Sequence, residues 1–230
     1  MLRLIPVLLA IGFGLVMYFF SVRRTLAELD NNSAELADPA LKQSFDRLAK
    51  ALDLPRVRVY LYDIEAVNGL AAPDGRIFIT RGFYNKFRQG KVTADELTSV
   101  IAHELGHVAL GHSRRRMIDF TGQNALRMLL MILLAPFLRQ LAVYVANFMA
   151  SALAARLSRS DEYEADAYAA ALLTKAGIGT EPQISLFNKL MELTGGRAGN
   201  APAWLLSHPK TDERIRAIEA LERKWSVSGV

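Results

Sequence analysis

No cysteine occurs anywhere in the 230-residue chain. Its absence excludes disulfide scaffolds, thiolate metal sites and cysteine nucleophiles together. Histidine is nearly as scarce: His103, His107, His112 and His208 make up all 4, so any imidazole chemistry rests on them. An excess of one charge sign is also missing. The 28 basic and 23 acidic residues leave a net charge of +5, and no basic stripe interleaved with aromatics runs through the chain, so no nucleic-acid partner is expected. The composition is not that of a disordered chain either, with 51% apolar and 22% charged residues. The length suits one sizeable core plus a membrane segment, and is short for two ordinary domains.

What the chain does have begins with Leu4 to Val22, an uncharged run flanked by Arg3 and by Arg23 and Arg24. As a helix it is roughly 28 Å long, close to the hydrocarbon thickness of a bilayer. It ends in Tyr18-Phe19-Phe20 rather than a small-x-small cleavage site, so it reads as an uncleaved anchor over residues 1–24 and not as a signal peptide. An acidic connector, Glu28 to Asp38, follows. Leu41, Phe45, Leu48 and Leu52 then predict a helix, and Arg56 to Asp63 alternates as a strand does. Asn68 to Thr80 predicts two short strands about Pro73-Asp74-Gly75. Thr93 and Glu96 form a capping box that opens a helix with Leu97, Val100, Ile101, Leu105 and Val108 on its buried face, and Gly111 is placed to end or kink it. Between Arg127 and Arg156 the only charge is Arg139. The apolar runs there are each short for a full span, and Pro136 opposes one straight helix. The insert 125–157 therefore reads as a membrane-dipping hairpin or as a buried helical pair. The expected class is α+β, predominantly helical with a small β-sheet, and the domain after the anchor runs over residues 25–230.

The chemistry concentrates in His103-Glu104-Leu105-Gly106-His107, an HExxH pattern inside the capped helix. Residues four apart on a helix differ by about 40° in azimuth, so both imidazoles project from one face and can grip one metal. Glu104, about 100° round from His103, stands beside that metal, placed to hold a water. A catalytic zinc needs a third protein ligand and an open position. The metzincin pattern fails, because Leu110 and Ser113 replace its Gly and His. His112 lies about 140° from the ligand face and reads as a polar cap or surface residue. Downstream, Glu162 and Asp166 share a helix face within SRSDEYEAD. They read either as a ligand with its supporting carboxylate or as a solvated acidic face. Ala165, Ala167, Ala169 and Ala170 favour the former by permitting close helix approach.

HExxH, SRSDEYEAD, NGLAAPDGRIFITRGF and SHPKTDER, in that relative arrangement over about Ala51 to Leu221, resemble the HtpX-like and CAAX-prenyl-protease-like zinc metallopeptidases, a gluzincin-type family with BepA-type and Oma-type members. The resemblance implies one zinc ion held by His103, His107 and Glu162, with Glu104 as catalytic base. It implies that Asp166 supports the site and that Asn68 pairs with substrate backbone on an edge strand. It further implies that His208 stabilises the oxyanion or shields a resting metal, and that Arg214 sits near the substrate. Gly69-Leu70 stands where the family has Ala-Phe. The implied activity is zinc-dependent endopeptidase action on unfolded or misfolded polypeptide segments at a lipid bilayer. The setting expected is a bacterial inner membrane, and the Lys and Arg count about the anchor (Arg3 against Arg23, Arg24 and Lys42) leans to a cytoplasmic catalytic domain. The rival readings are a membrane-anchored chaperone or interaction protein with a structural zinc, and a zinc hydrolase of non-peptide substrates.

Overall fold

The computed structural model describes residues 5–138, 140–194, 208 and 211–228. In chain order these form α1 (Ile5–Asn31), β1 (Ser33–Glu35), α2 (Pro39–Ala51), β2 (Val59–Tyr62), β3 (Gly69–Ala71), β4 (Ile77–Thr80), α3 (Arg81–Arg88), α4 (Ala94–Ala109), α5 (His112–Leu138), α6 (Leu141–Lys175), α7 (Glu181–Thr194) and α8 (Thr211–Ser228). The helical majority and small sheet agree with the expected class. The chain divides into two compact units, Leu29–Leu110 with Glu162–Val230, and Met1–Glu28 with Gly111–Asp161.

The first unit is built on a mixed sheet in the order β1-β2-β4-β3. β2 and β4 run parallel, Val59 opposite Ile77, while β1 and β3 pair antiparallel on the two edges. Against the sheet lies a core that includes Leu41 and Leu48 of α2, Leu97 and Ile101 of α4, Leu173 of α6 and Leu186 and Leu190 of α7, all essentially buried. Local chemistry fixes the helix starts. The Asp38 side chain accepts the Ala40 N–H ahead of Pro39 in the first turn of α2. At α4 the capping box is complete: Thr93 Oγ1 accepts the Glu96 N–H at 3.1 Å and Glu96 accepts the Thr93 N–H at 2.8 Å. Glu96 also receives Ser185 and Lys189 of α7, so one carboxylate starts α4 and fastens it to a neighbour.

Within the acidic connector α1 runs on to Asn31 and Ser33–Glu35 pairs with β2, a strand that the sequence did not announce. Its strand has too few residues to show an alternation. The insert is not one straight helix, as Pro136 led one to expect: α5, with Pro136 inside it, ends at Leu138 and α6 begins at Leu141. Proline removes one N–H from a helix, and near its end little follows that can be disrupted.

In the second unit Ala142, Ala146 and Ala150 form a buried stripe on α6, whereas Phe137, Tyr144 and Phe148 are exposed. On α1, Leu8, Phe13, Val16 and Phe20 are likewise exposed. Among the described residues, α6 is the helix long and apolar enough to cross a membrane by length and composition. His112 is fully buried, with Nε2 3.8 Å from Asp161 Oδ1, and is not the surface residue that helix azimuth suggested. The positive φ of Gly111 ends α4, so the azimuth of α4 does not carry through to His112.

Candidate metal centre

Two helices of the first unit supply the central donors. α4 carries His103 and His107 on one face, with their Nε2 atoms 3.1 Å apart. α6 brings Glu162 to them: one carboxylate oxygen is 3.5 Å from His103 Nε2 and the other 3.5 Å from His107 Nε2. The approach depends on Gly106, because a Cβ there would lie 3.0 Å from the Ala165 carbonyl oxygen and 3.1 Å from its Cα. The glycine of HELGH and the alanine of YEAD are thus two halves of one contact. His208 completes the cluster, its Nδ1 at 2.5 Å from Glu162 Oε2 and its Nε2 at 3.6 Å from Glu104 Oε1. Ligand atoms of His103, His107, Glu162 and His208 all lie within 4.8 Å of one another.

These separations fit a zinc ion. Donors bonded at about 2.0–2.1 Å to a tetrahedral zinc stand roughly 3.3–3.5 Å apart, against the 3.1 and 3.5 Å found between the donors of the two helices. The donor chemistry, two imidazoles and a carboxylate, is that of a zinc hydrolase site. Beside them Glu104 is buried with Oε1 in no hydrogen bond. A buried carboxylate oxygen without a donor is costly unless a water or substrate proton is meant to reach it.

Asp166 holds the His103 ring. Its Oδ1 lies 2.9 Å from His103 Nδ1, an arrangement in which Nδ1–H donates and the Nε2 lone pair faces the metal position. Arg214 of α8 grips the same carboxylate with Nε on Oδ2 at 2.6 Å and an Nη on Oδ1 at 2.7 Å, and Gln183 of α7 donates to Oδ1 at 3.3 Å. Burial opposes ionisation of Asp166, but Arg214 and His103 outweigh it and hold its carboxyl below the usual range. Burial likewise opposes ionisation of Glu162, and His103 and His208 outweigh it. His103 is pushed up to about 9, the Asp166 and Glu162 carboxylates overcoming the burial that disfavours its charge. The pocket is thus an anionic cradle that favours a cation at its centre.

Comparison with known proteins bears on this geometry. The model of peptidase family M48 matches residues 35–222. The chain belongs to that family. Among M48 relatives, it is 29% identical over 198 residues to the metalloprotease YcaL of Escherichia coli (strain K12), covering 84% of this chain and 74% of the relative. It is 27% identical over 259 residues to a protease HtpX homolog of Salinibacter ruber, covering 95% and 87%. Against the human mitochondrial metalloendopeptidase OMA1 it is 26% identical over 171 residues, covering 71% of this chain but 32% of that one. M48 membership bears out the sequence expectation of a metalloendopeptidase.

Of the residues singled out in the sequence, the structure gathers His103, Glu104, His107, Glu162, Asp166, His208 and Arg214 into one buried cluster. Arg214, expected at the substrate, is instead 1% exposed and bound to Asp166, with an Nη also donating to the His208 carbonyl at 3.0 Å. The arginine of SHPKTDER therefore joins Asp166, the partner of His103, to the segment carrying His208. Asn68 immediately precedes β3; its carbonyl accepts from the Thr80 N–H and hydroxyl, and its Oδ1 is buried without a hydrogen bond. Gln183 was missed. Its signal was a lone polar residue on the face of α7 that otherwise buries Leu186, Phe187 and Leu190.

Proposed function

We propose that this protein is a membrane-anchored, zinc-dependent endopeptidase that cleaves extended segments of unfolded or misfolded polypeptides. The observation that carries the reading is the convergence of His103, His107 and Glu162 beside the buried Glu104 carboxylate, whose Oε1 makes no hydrogen bond. Zinc in this cradle would polarise the scissile carbonyl and acidify a water. Glu104 accepts a proton from that water as its oxygen bonds to the carbonyl carbon, and returns the proton to the amide nitrogen as the C–N bond breaks. His208, 3.6 Å from Glu104, donates to the oxygen on which negative charge develops. Asp166 holds the His103 tautomer, and Arg214 keeps Asp166 ionised. Among the described residues β3 ends the sheet with one edge unpaired, which suits backbone recognition of an extended chain largely blind to its side chains, with the Asn68 Oδ1 acceptor at its start.

Residues 1–24 serve as a single-pass anchor, residues 25–230 form the protease domain, and the insert 125–157 dips into the same bilayer. The apolar helix α1 and the exposed Phe137, Tyr144 and Phe148 support this placement. The basic residues after the anchor point to a cytoplasmic catalytic domain. A chaperone with a closed zinc site has one observation in its favour, that His208 belongs to the same four-donor group.

The deciding experiment is degradation of casein by the detergent-purified full chain. Activity should vanish with chelator, return with zinc, and fall by about 100- to 10,000-fold in Glu104→Gln while zinc content stays near one per chain. A zinc-loaded wild type that binds casein without cutting it would transfer the protein to the chaperone reading.

A further inference from the structure

The register of β3 shows which of its backbone groups turn away from β4. Asn68 pairs with Thr80 and Ala72 with Arg76 through backbone hydrogen bonds, and Leu70 lies opposite Phe78. In an antiparallel pair such bonds alternate, so the N–H and C=O groups of Gly69 and Ala71 point to the open edge. Gly69 also lies against the catalytic helix. A Cβ built on it would stand 2.5 Å from Val100 Cγ1, 3.4 Å from Ile79 Cδ1 and 3.6 Å from Glu104 Cγ. Val100 and Glu104 are one turn apart on α4, and Val100 is 1% exposed. Because a β-branched side chain in a helix has essentially one χ1 rotamer, Val100 has little room to turn aside. The strand residue that offers its peptide groups to a substrate is therefore packed directly against the helix bearing the base.

We propose that the Gly69–Val100 contact is a spacing gauge: it sets how far a polypeptide paired on β3 lies from Glu104, and so which peptide bond reaches the base. Gly69 is a substrate-contacting residue through its backbone, and Val100 is a positioning residue acting through it. The inference rests on the edge-strand reading above and adds to it the element that selects the cleavage register. It also gives a reason for glycine where the resemblance has alanine, since Val100 fills the volume that an alanine methyl would need.

The test uses the zinc-loaded full chain in detergent, with Gly69→Ala, Val100→Ala and the double variant. Zinc content, Tm, kcat, KM and the casein fragments by mass spectrometry are measured for each. Gly69→Ala should keep its zinc, lose on the order of 10- to 100-fold in kcat/KM, and shift the fragment boundaries, since displacements of about 1 Å at a reacting centre carry penalties of that size. Adding Val100→Ala should restore most of the rate and the original boundaries. A folded, zinc-loaded Gly69→Ala with wild-type kinetics and fragments overturns the gauge, as does a folded double variant with no recovery. Should Gly69→Ala fail to fold, Val100→Ile presses on the contact from the helix side and is expected to shift the boundaries; unchanged fragments there overturn the proposal. A peptide N-methylated at one amide at a time separates the two levels. If no methylation slows the wild type, the edge-strand reading falls and the gauge with it; if methylation slows cleavage yet Gly69→Ala is silent, the gauge alone falls. A wild type that cuts neither casein nor peptide removes both.

Discussion

In the unit of Leu29–Leu110 with Glu162–Val230, charge is inside: Glu104, Glu162, Asp166 and Arg214 are each less than 5% exposed. In the unit of Met1–Glu28 with Gly111–Asp161, large apolar groups are outside, with Phe137 at 84% and Phe148 at 74%. Each departs from the ordinary partition in the opposite direction, and each departure has a cost in water. Buried charge persists when its partners are complete, as with the two-point Arg214–Asp166 pair. Exposed apolar surface persists when another apolar medium covers it. The two exceptions call for different complements: the buried charges need one another, and the exposed apolar groups need a covering medium.

Arg214→Met should break the buried-charge side of this comparison most severely. It leaves the buried Asp166 carboxyl without its two-point partner, a loss of about 3–5 kcal/mol in stability where a buried pair is broken from one side. Zinc affinity should fall by about 10- to 100-fold, the usual effect of removing support for an oriented ligand. Adding Asp166→Asn removes the stranded charge and should recover part of the stability but none of the zinc affinity. Chemical denaturation and zinc titration of the single and double variants test both parts. Equal stability of the two variants would show that the pair is not electrostatically closed.

A milder perturbation acts away from the metal, at Glu96. Burial raises its carboxyl pKa, but Lys189, Ser185 and the Thr93 N–H together outweigh that and lower it from 4.5. A depressed carboxyl pKa contributes stability above its unfolded value and loses it as pH falls through the folded value. Glu96→Gln is therefore expected to cost about 1–2 kcal/mol at neutral pH, with the gap to wild type closing in acid below pH 4.5. Thermal melts across that range measure it. A gap that stays constant with pH would mean that the cap acts by shape alone.

Legibility in the sequence followed the distance over which each pattern is written. The capping box, the HExxH face and the turn at Pro73-Asp74-Gly75 are set by neighbours within a few residues, and all were readable. The partnership of Gly106 with Ala165 was half readable: the small residues announced close approach but not its partner. The grip of Arg214 on Asp166 was not readable because the two lie 48 residues apart, and a motif gives proximity without direction. β1 was unreadable because three residues carry no period. His112 failed because helix azimuth was carried past Gly111, where the backbone leaves the helical region.

The smallest effect on stability should come from the apolar side, and its smallness is informative. Phe137 and Phe148 touch so little of the protein that replacing either should change unfolding free energy by no more than about 0.5 kcal/mol. The same side chains should each favour a lipid phase by about 1.5–3 kcal/mol, so their environment is the sensitive readout. The absence of cysteine makes the measurement clean, because Phe148→Cys provides one labelling site in the whole chain. A polarity-sensitive fluorophore there, in protein reconstituted into phospholipid vesicles, should emit as in hydrocarbon and be quenched by brominated acyl chains. The same label on Lys50→Cys, an exposed position on α2 in the other unit, should emit as in water and ignore the brominated lipid. Aqueous emission from both positions would mean that the exposed aromatics are covered by protein instead. It would remove the insert from the bilayer while leaving the zinc centre and its chemistry untouched.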